Sequence, residues 1–161
     1  MLKSSLTEIR RELSTLSQKD LVELSIRLIK FKKDNKELMD YCLFEKQDEK
    51  AYIQQIKEEI DAHFAANTFH SLYHFKKSVR KTLRLVEKYA KYSGNTITQV
   101  ELLLYFCQQS NEIYPNWYAY EALQKITVSL IKKMEKSILK LHEDLQFDYS
   151  SQLEKIKENI N

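Results

Sequence analysis

Hydrophobic residues recur every three to four positions along most of the chain, which is the spacing of an amphipathic α-helix. One clear apolar stripe has polar residues between its members: Tyr52, Ile53, Ile56, Ile60 and Phe64. Short polar corners separate such stretches, and none of the connections is longer than about six residues, as in neighbouring antiparallel helices. The pattern therefore predicts about seven helices.

Residues with known preferences for helix ends mark the predicted boundaries. Asp48 is expected to cap the helix that carries the stripe at residues 52–64. Gly94 is expected to end a long helix over residues 70–92, because glycine readily adopts the left-handed conformation found there. The next helix is expected to end before Pro115, since the residue before a proline is pushed out of helical angles. Further caps are predicted at Ser17–Asp20, Thr98–Glu101, Asn116 and Ser151–Glu154.

The longest predicted helix follows the corner at Pro115. Its apolar spine extends over about six turns and comprises Leu123, Ile126, Leu130, Met134, Ile138, Leu141 and Leu145. A short last helix is expected to end near Ile160.

Composition narrows the fold class further. Gly94 and Pro115 are the single glycine and the single proline among 161 residues, whereas average usage is about 7% and 5%. Hairpins and tight turns depend on these residues, so the near-absence of both excludes a β-sandwich or a loop-rich enzyme. We predict one all-α domain over residues 1–161, either an antiparallel helical bundle or a short irregular stack of helical hairpins.

The sequence also predicts the cellular compartment of the protein. Its first residues, MLKSSLTEIRREL, show no continuous apolar stretch of the kind found in a secretory signal. No run of 18 apolar residues exists, so no transmembrane helix is expected. We therefore expect a cytoplasmic protein in which Cys42 and Cys107 are reduced thiols on apolar helix faces.

The long helix before Gly94 carries a stripe of cations, hidden by a net charge of only +3. Between residues 76 and 91 there are seven basic residues and one acid, Glu87. A row of cations can follow a phosphate backbone or an anionic membrane face. The alternative is a solvated face, paired with acids at residues 58–61. Six of the cations fall within about 100° of arc and form what we call the basic stripe: Lys77, Arg80, Lys81, Arg84, Lys88 and Lys91.

Four aromatic residues surround Pro115 and form a second candidate surface. Tyr114, Trp117 and Tyr118 are its candidate partner-binding residues, because Trp and Tyr anchor many interfaces. The same residue types also fill the cores of small helical proteins. Only exposure would make this aromatic corner a binding patch.

Few residues have the spacing of a catalytic or metal-binding site. His70 and His74 stand four residues apart on one helix and His63 lies one corner earlier, but the HExxH pattern is missing. A cysteine paired in space with a histidine could form a nucleophile, a possibility that spacing cannot test. No phosphate loop or dinucleotide fingerprint occurs. We expect no cofactor, no metal and no catalytic residue.

Three stretches resemble a family of small, all-helical bacterial proteins known only as a domain of unknown function. They are the Leu-Ser-x-x-Asp-Leu segment at residues 16–21, Lys-Ser-Val-Arg-Lys at 77–81 and Glu-Leu-Leu-Leu-Tyr-Phe at 101–106. The resemblance implies a helical fold and no particular activity.

These observations lead to three hypotheses of different classes. The first is a non-catalytic interaction or scaffold protein that binds an unknown protein partner or self-associates, through a helix groove or the aromatic corner. The second is binding of nucleic acid or another polyanion by the basic stripe. The third is an enzyme whose site has no recognised signature.

Overall fold

A computed structural model describes residues 4–66 and 71–158, and all regular structure within these ranges is helical. The all-α prediction is confirmed. A π-helical turn (Tyr41–Glu45) and a 3-10 turn (Trp117–Ala119) accompany eight α-helices. The α-helices are α1 (Leu6–Thr15), α2 (Gln18–Phe31), α3 (Lys33–Asp40), α4 (Glu49–Ala65), α5 (Leu72–Ser93), α6 (Thr96–Ile113), α7 (Glu121–Ile138) and α8 (Glu143–Glu158).

The chain divides into two compact units, Met1–Phe44 and Glu45–Asn161. The first unit contains α1, α2 and α3, and α3 packs against α2. The Ser17 hydroxyl accepts a hydrogen bond from the backbone N–H of Asp20 at 3.2 Å, so the predicted cap of α2 is confirmed. No residue of these three helices is buried. The prediction of one domain over the whole chain stays a prediction.

The second unit is built around α6, which packs against α4, α5, α7 and α8. A helix with neighbours on most sides must be apolar on most of its surface, and Leu102, Leu103 and Leu104 are all buried. Phe106 stacks on Phe64 of α4, with ring centroids 6.2 Å apart. The predicted stripe at residues 52–64 is buried as expected.

Two of the predicted helix ends are confirmed. The Asp48 carboxylate accepts a hydrogen bond from the backbone N–H of Ala51 at 3.0 Å. Gly94 ends α5 in the left-handed conformation, with φ of 65°. The expected corner at Asn67–Thr68 lies outside the described residues.

The predicted cap at Thr98–Glu101 is wrong, because Asn95 caps α6 instead, accepting from the backbone N–H of Ile97. Thr98 lies inside the helix, buried, and its hydroxyl donates to Glu49 at the start of α4. Glu101 accepts from the hydroxyl of Tyr149 at 2.7 Å. Both polar side chains are therefore used to join helices, which local sequence cannot reveal.

The longest predicted helix is two helices. α7 ends at Ile138, and α8 begins at Glu143 and continues through Ser151, so the cap predicted at Ser151–Glu154 is also wrong. At the break, the Gln146 side chain donates to the backbone carbonyl of Leu141 at 2.8 Å. The turn lets α8 pack on both α6 and α7, where it buries Tyr149 and Leu153. The end expected near Ile160 lies outside the described residues.

Asn116 does not cap the helix that follows it. The residue adopts the left-handed conformation, with φ of 61°, which asparagine tolerates better than most residues. Its side chain accepts a hydrogen bond from the Tyr118 hydroxyl at 2.8 Å, and α7 begins five residues later, at Glu121. The α6–α7 connection is therefore a structured corner that contains the 3-10 turn.

Candidate functional site

The helix α5 separates its apolar and basic residues onto opposite faces. Phe75, Val79, Val86 and Ala90 are buried against the rest of the second unit. The basic stripe faces away from this core because it lies on the other side of the helix. Burial of the apolar face holds the cations in one line.

Five cations of the basic stripe are exposed, and Lys88 is half-buried. The Lys88 ammonium lies over the rings of Tyr89 and Tyr92, at 4.8 and 5.9 Å from their centroids. The other five form no ion pair with any described residue, and we call them the open cations: Lys77, Arg80, Lys81, Arg84 and Lys91.

Acidic residues of α4 do not neutralise the basic stripe. Glu58 accepts a hydrogen bond from Gln54 on its own helix, and Asp61 accepts from the hydroxyl of Tyr105 at 2.6 Å. The acid within α5, Glu87, pairs with Lys133 of α7 at 2.7 Å. The positive charge of the open cations thus faces the solvent with no carboxylate partner among the described residues.

A groove of about 390 Å³ runs along the N-terminal half of the stripe. One aromatic ring lines this groove beside the cations, that of Tyr73, which is 71% exposed. The His74 ring contacts Tyr73 edge-on, with centroids 5.5 Å apart, and the Ser71 hydroxyl is 2.8 Å from His74 Nδ1. The remaining lining residues are Lys76, Lys77, Arg80, Lys81 and Arg84.

His63 of α4 lies against α5, and the charge of the basic stripe affects its pKa. Its Nδ1 lies 2.6 Å from the hydroxyl of Thr82, which is buried in α5. Burial lowers the pKa of His63, and the positive charge of Lys81 lowers it further. The imidazole is therefore neutral at pH 7, because an ordinary histidine has a pKa of about 6.5.

This lowered pKa predicts a stability that depends on pH. Below about pH 6.5 the unfolded chain binds a proton at His63 that the folded chain does not, so the free energy of unfolding falls with pH towards the folded pKa. Urea titrations between pH 5 and 8 measure the effect. The variant His63→Gln should lose this component, and Lys81→Gln should raise the pKa of His63 in an NMR titration. An unchanged His63 pKa in Lys81→Gln would contradict the assigned role of Lys81.

The aromatic corner lies mostly in the core. Trp117 is 1% exposed and Tyr118 is 8% exposed, and the indole contacts the Phe106 ring edge-on, with centroids 6.2 Å apart. Tyr114 is half-buried and stacks on Phe75 at 4.8 Å. The exposure that a binding patch requires is missing at Trp117 and Tyr118, so their side chains stabilise the fold of the second unit.

The histidines and cysteines are dispersed. His70 lies outside the described residues, so its pairing with His74 is not described. Within 4–66 and 71–158, no group of three or more His, Cys, Asp or Glu side chains is placed to hold a metal ion. Burial raises the pKa of the Cys107 thiol to about 12, which makes it a poor nucleophile at neutral pH. Cys42, which was expected on an apolar helix face, is exposed to solvent.

An apolar surface on the first unit was not recognised in the sequence. Of the sixteen large hydrophobic side chains that are exposed in the described residues, twelve belong to this unit. Phe31 and Leu28 of α2 are 84% and 51% exposed. Their helical spacing resembles that of core residues, so the sequence alone does not distinguish the two environments.

None of the described helices is both long and apolar enough to cross a membrane. Comparison of the chain with protein-family models, with curated proteins and with solved structures finds no match.

Proposed function

We propose that this protein binds nucleic acid through the basic stripe and acts without catalysing a reaction. The observation that carries the proposal is the row of five open cations on one face of α5. At 1.5 Å per residue, the first four members lie within about 10 Å along the helix axis and Lys91 follows about 10 Å after Arg84, so the row is about 20 Å long. A linear polyanion with regularly spaced charges suits such a row better than a single small anion does.

The proposal predicts strong dependence on salt. Each phosphate neutralised on a single strand contributes about −0.7 to the slope of log affinity against log salt concentration, so five contacts give about −3.5. Between 50 and 200 mM salt the affinity should fall about 100-fold. Fluorescence anisotropy of a labelled 15-nucleotide strand, titrated at four salt concentrations, measures this slope. A slope near zero, or no binding at 50 mM salt, contradicts the proposal.

We propose a second function, self-association through α2, which rests on the exposed apolar residues of the first unit. Helices without buried residues gain little from tertiary packing, and short isolated helices are marginal in water. A partner that covers Leu28 and Phe31 would remove this apolar area from water, with a gain of about 25 cal/mol per Å².

The order of charges along α2 supports a second copy of the chain as that partner. The first half of the helix carries two acids, Asp20 and Glu23, and one base, Lys19, whereas the second half carries only the bases Arg27 and Lys30. If two copies of α2 pair antiparallel and cross near Ser25, Glu23 of each copy meets Arg27 of the other. Opposite charges beside an apolar seam favour this register and orientation.

This second function predicts a dimer that mutations can dissociate. Leu28→Ser with Phe31→Ser should yield a monomer in sedimentation velocity, because the apolar contact is lost. The control is Leu139→Ser with Phe147→Ser, which removes two side chains that are 73% and 78% exposed in the second unit.

A charge exchange tests the antiparallel pairing itself. Glu23→Arg should weaken the dimer, since like charges then face each other, and adding Arg27→Glu should restore it. A wild-type protein that remains monomeric at about 100 µM, or a double exchange that fails to restore association, overturns self-association through α2.

The proposal extends to the way in which the helices of the second unit are packed together. We propose an antiparallel bundle of α4–α8 around α6, in preference to a stack of hairpins. The support is that α6 packs against four other helices, whereas a unit in a stack contacts mainly its sequence neighbours. Such a bundle gives α5 a rigid backing for its basic stripe.

A further inference from the structure

We infer that the ligand of the basic stripe is a single-stranded nucleic acid, and that the Tyr73 ring stacks on one of its bases. The inference rests on the proposed function of the stripe and adds a ligand class and a stacking residue. Its basis is the position of an exposed ring in line with the open cations.

Tyr73 continues the stripe by one helical turn. It precedes Lys77 by four residues, so the two side chains lie on the same face of α5, about 6 Å apart along the axis. Arg80 and Arg84 follow on the same line, and all four residues border one groove. A strand whose phosphates lie along the cations therefore brings its next base close to the Tyr73 ring.

The Tyr73 ring is both exposed and supported. At 71% exposure it gains little from burial in the fold, and an exposed aromatic side chain in a basic groove is typical of stacking platforms. The ring contacts the His74 ring edge-on, with centroids 5.5 Å apart and an interplanar angle of 85°. His74 Nδ1 in turn lies 2.8 Å from the Ser71 hydroxyl.

An exposed ring distinguishes a single strand from the other polyanions. The faces of bases within a duplex are covered by their neighbours, whereas unstacked bases of a single strand are free to stack on aromatic side chains. An anionic membrane or a polyphosphate chain offers charge without a base. The cations alone could bind any of these ligands, so the preference for a single strand comes from Tyr73.

The experiment separates the stacking step from the backbone contacts. Anisotropy titrations at 50 mM salt compare a 15-nucleotide thymidine strand with an abasic strand of the same length and charge, using wild type, Tyr73→Ala and Tyr73→Phe. Because stacking contributes about 1–3 kcal/mol per base, Tyr73→Ala should weaken binding of the thymidine strand about 5- to 150-fold. Tyr73→Phe should bind nearly as wild type, and the abasic strand should bind all three proteins equally.

The salt slope and a cross-linking readout complete the test. Tyr73→Ala should keep the slope of the wild type, since the phosphate contacts remain, and a strand containing 5-iodouridine should cross-link to Tyr73 on irradiation. If wild type binds abasic and thymidine strands equally, with a steep salt slope, the stacking inference fails and the proposed function stands. If wild type binds neither strand, or binds only vesicles containing phosphatidylserine, both fail.

Discussion

Neutralising three cations of the basic stripe is expected to remove most of the nucleic-acid affinity. In Lys77→Gln/Arg80→Gln/Arg84→Gln, each lost phosphate contact flattens the salt slope by about 0.7, so the triple variant should have a slope about 2 units shallower. At 50 mM salt the affinity should fall roughly 100-fold or more. The fold should be preserved, because all three side chains are exposed and none forms an ion pair within the described residues.

A matched triple variant controls for net charge. Lys132, Lys136 and Lys140 are exposed cations at and just beyond α7, on a different helix from the basic stripe. Changing all three to Gln lowers the protein charge by the same amount, and we expect less than a three-fold loss of affinity. Equal losses in the two triple variants would show that binding follows overall charge, and the basic stripe would then have no special role.

Trp117→Ala is expected to cause the largest loss of stability of any single substitution proposed for this protein. The indole is among the largest fully buried side chains, and it packs against Phe106 at the centre of the second unit. Removing a buried Trp typically lowers the free energy of unfolding by about 3–5 kcal/mol, through lost contacts and a residual cavity. In a protein of this size the midpoint of thermal unfolding should fall by about 10 °C.

Circular dichroism at 222 nm, followed during urea and thermal unfolding, measures the effect without relying on the indole signal. The control is Tyr73→Ala, which also removes an aromatic ring but from a position that is 71% exposed, and it should change stability by less than about 0.5 kcal/mol. A Trp117→Ala protein of wild-type stability would show that the corner is not part of the core and would return it to the candidate binding surfaces.

The parts of the fold that were predicted from sequence depend on contacts between near neighbours in the chain. The Asp48 cap involves a backbone N–H three residues away, and the end of α5 follows from the conformational freedom of Gly94. The apolar stripe of α4 and the basic stripe of α5 follow from 3.6 residues per turn. Such features can be predicted from a single sequence because the residues that cause them lie within one or two helical turns of each other.

The incorrect predictions concern features that depend on contacts between residues far apart in the chain. An apolar spine that continues to Leu145 predicts one helix, yet the chain turns after Ile138 because α8 gains more by packing back on α6 and α7. Thr98 followed by Glu101 has the composition of a capping box, but Glu49 accepts from the Thr98 hydroxyl, forty-nine residues away in sequence. In each case a distant partner outweighs a local preference of about 1 kcal/mol.

The helical class, most helix positions and the line of cations on α5 could be predicted from the residue pattern alone. Which faces meet solvent became clear only from the packing of the helices: Trp117 is buried, Tyr73 is exposed, and Phe31 is exposed despite its place in an apolar pattern. Helical periodicity predicts which residues share a face, because the direction of each side chain around the helix depends on backbone geometry alone. Whether a face is covered depends on the free energy of packing it against residues far away in the chain. A local sequence pattern does not predict this free energy.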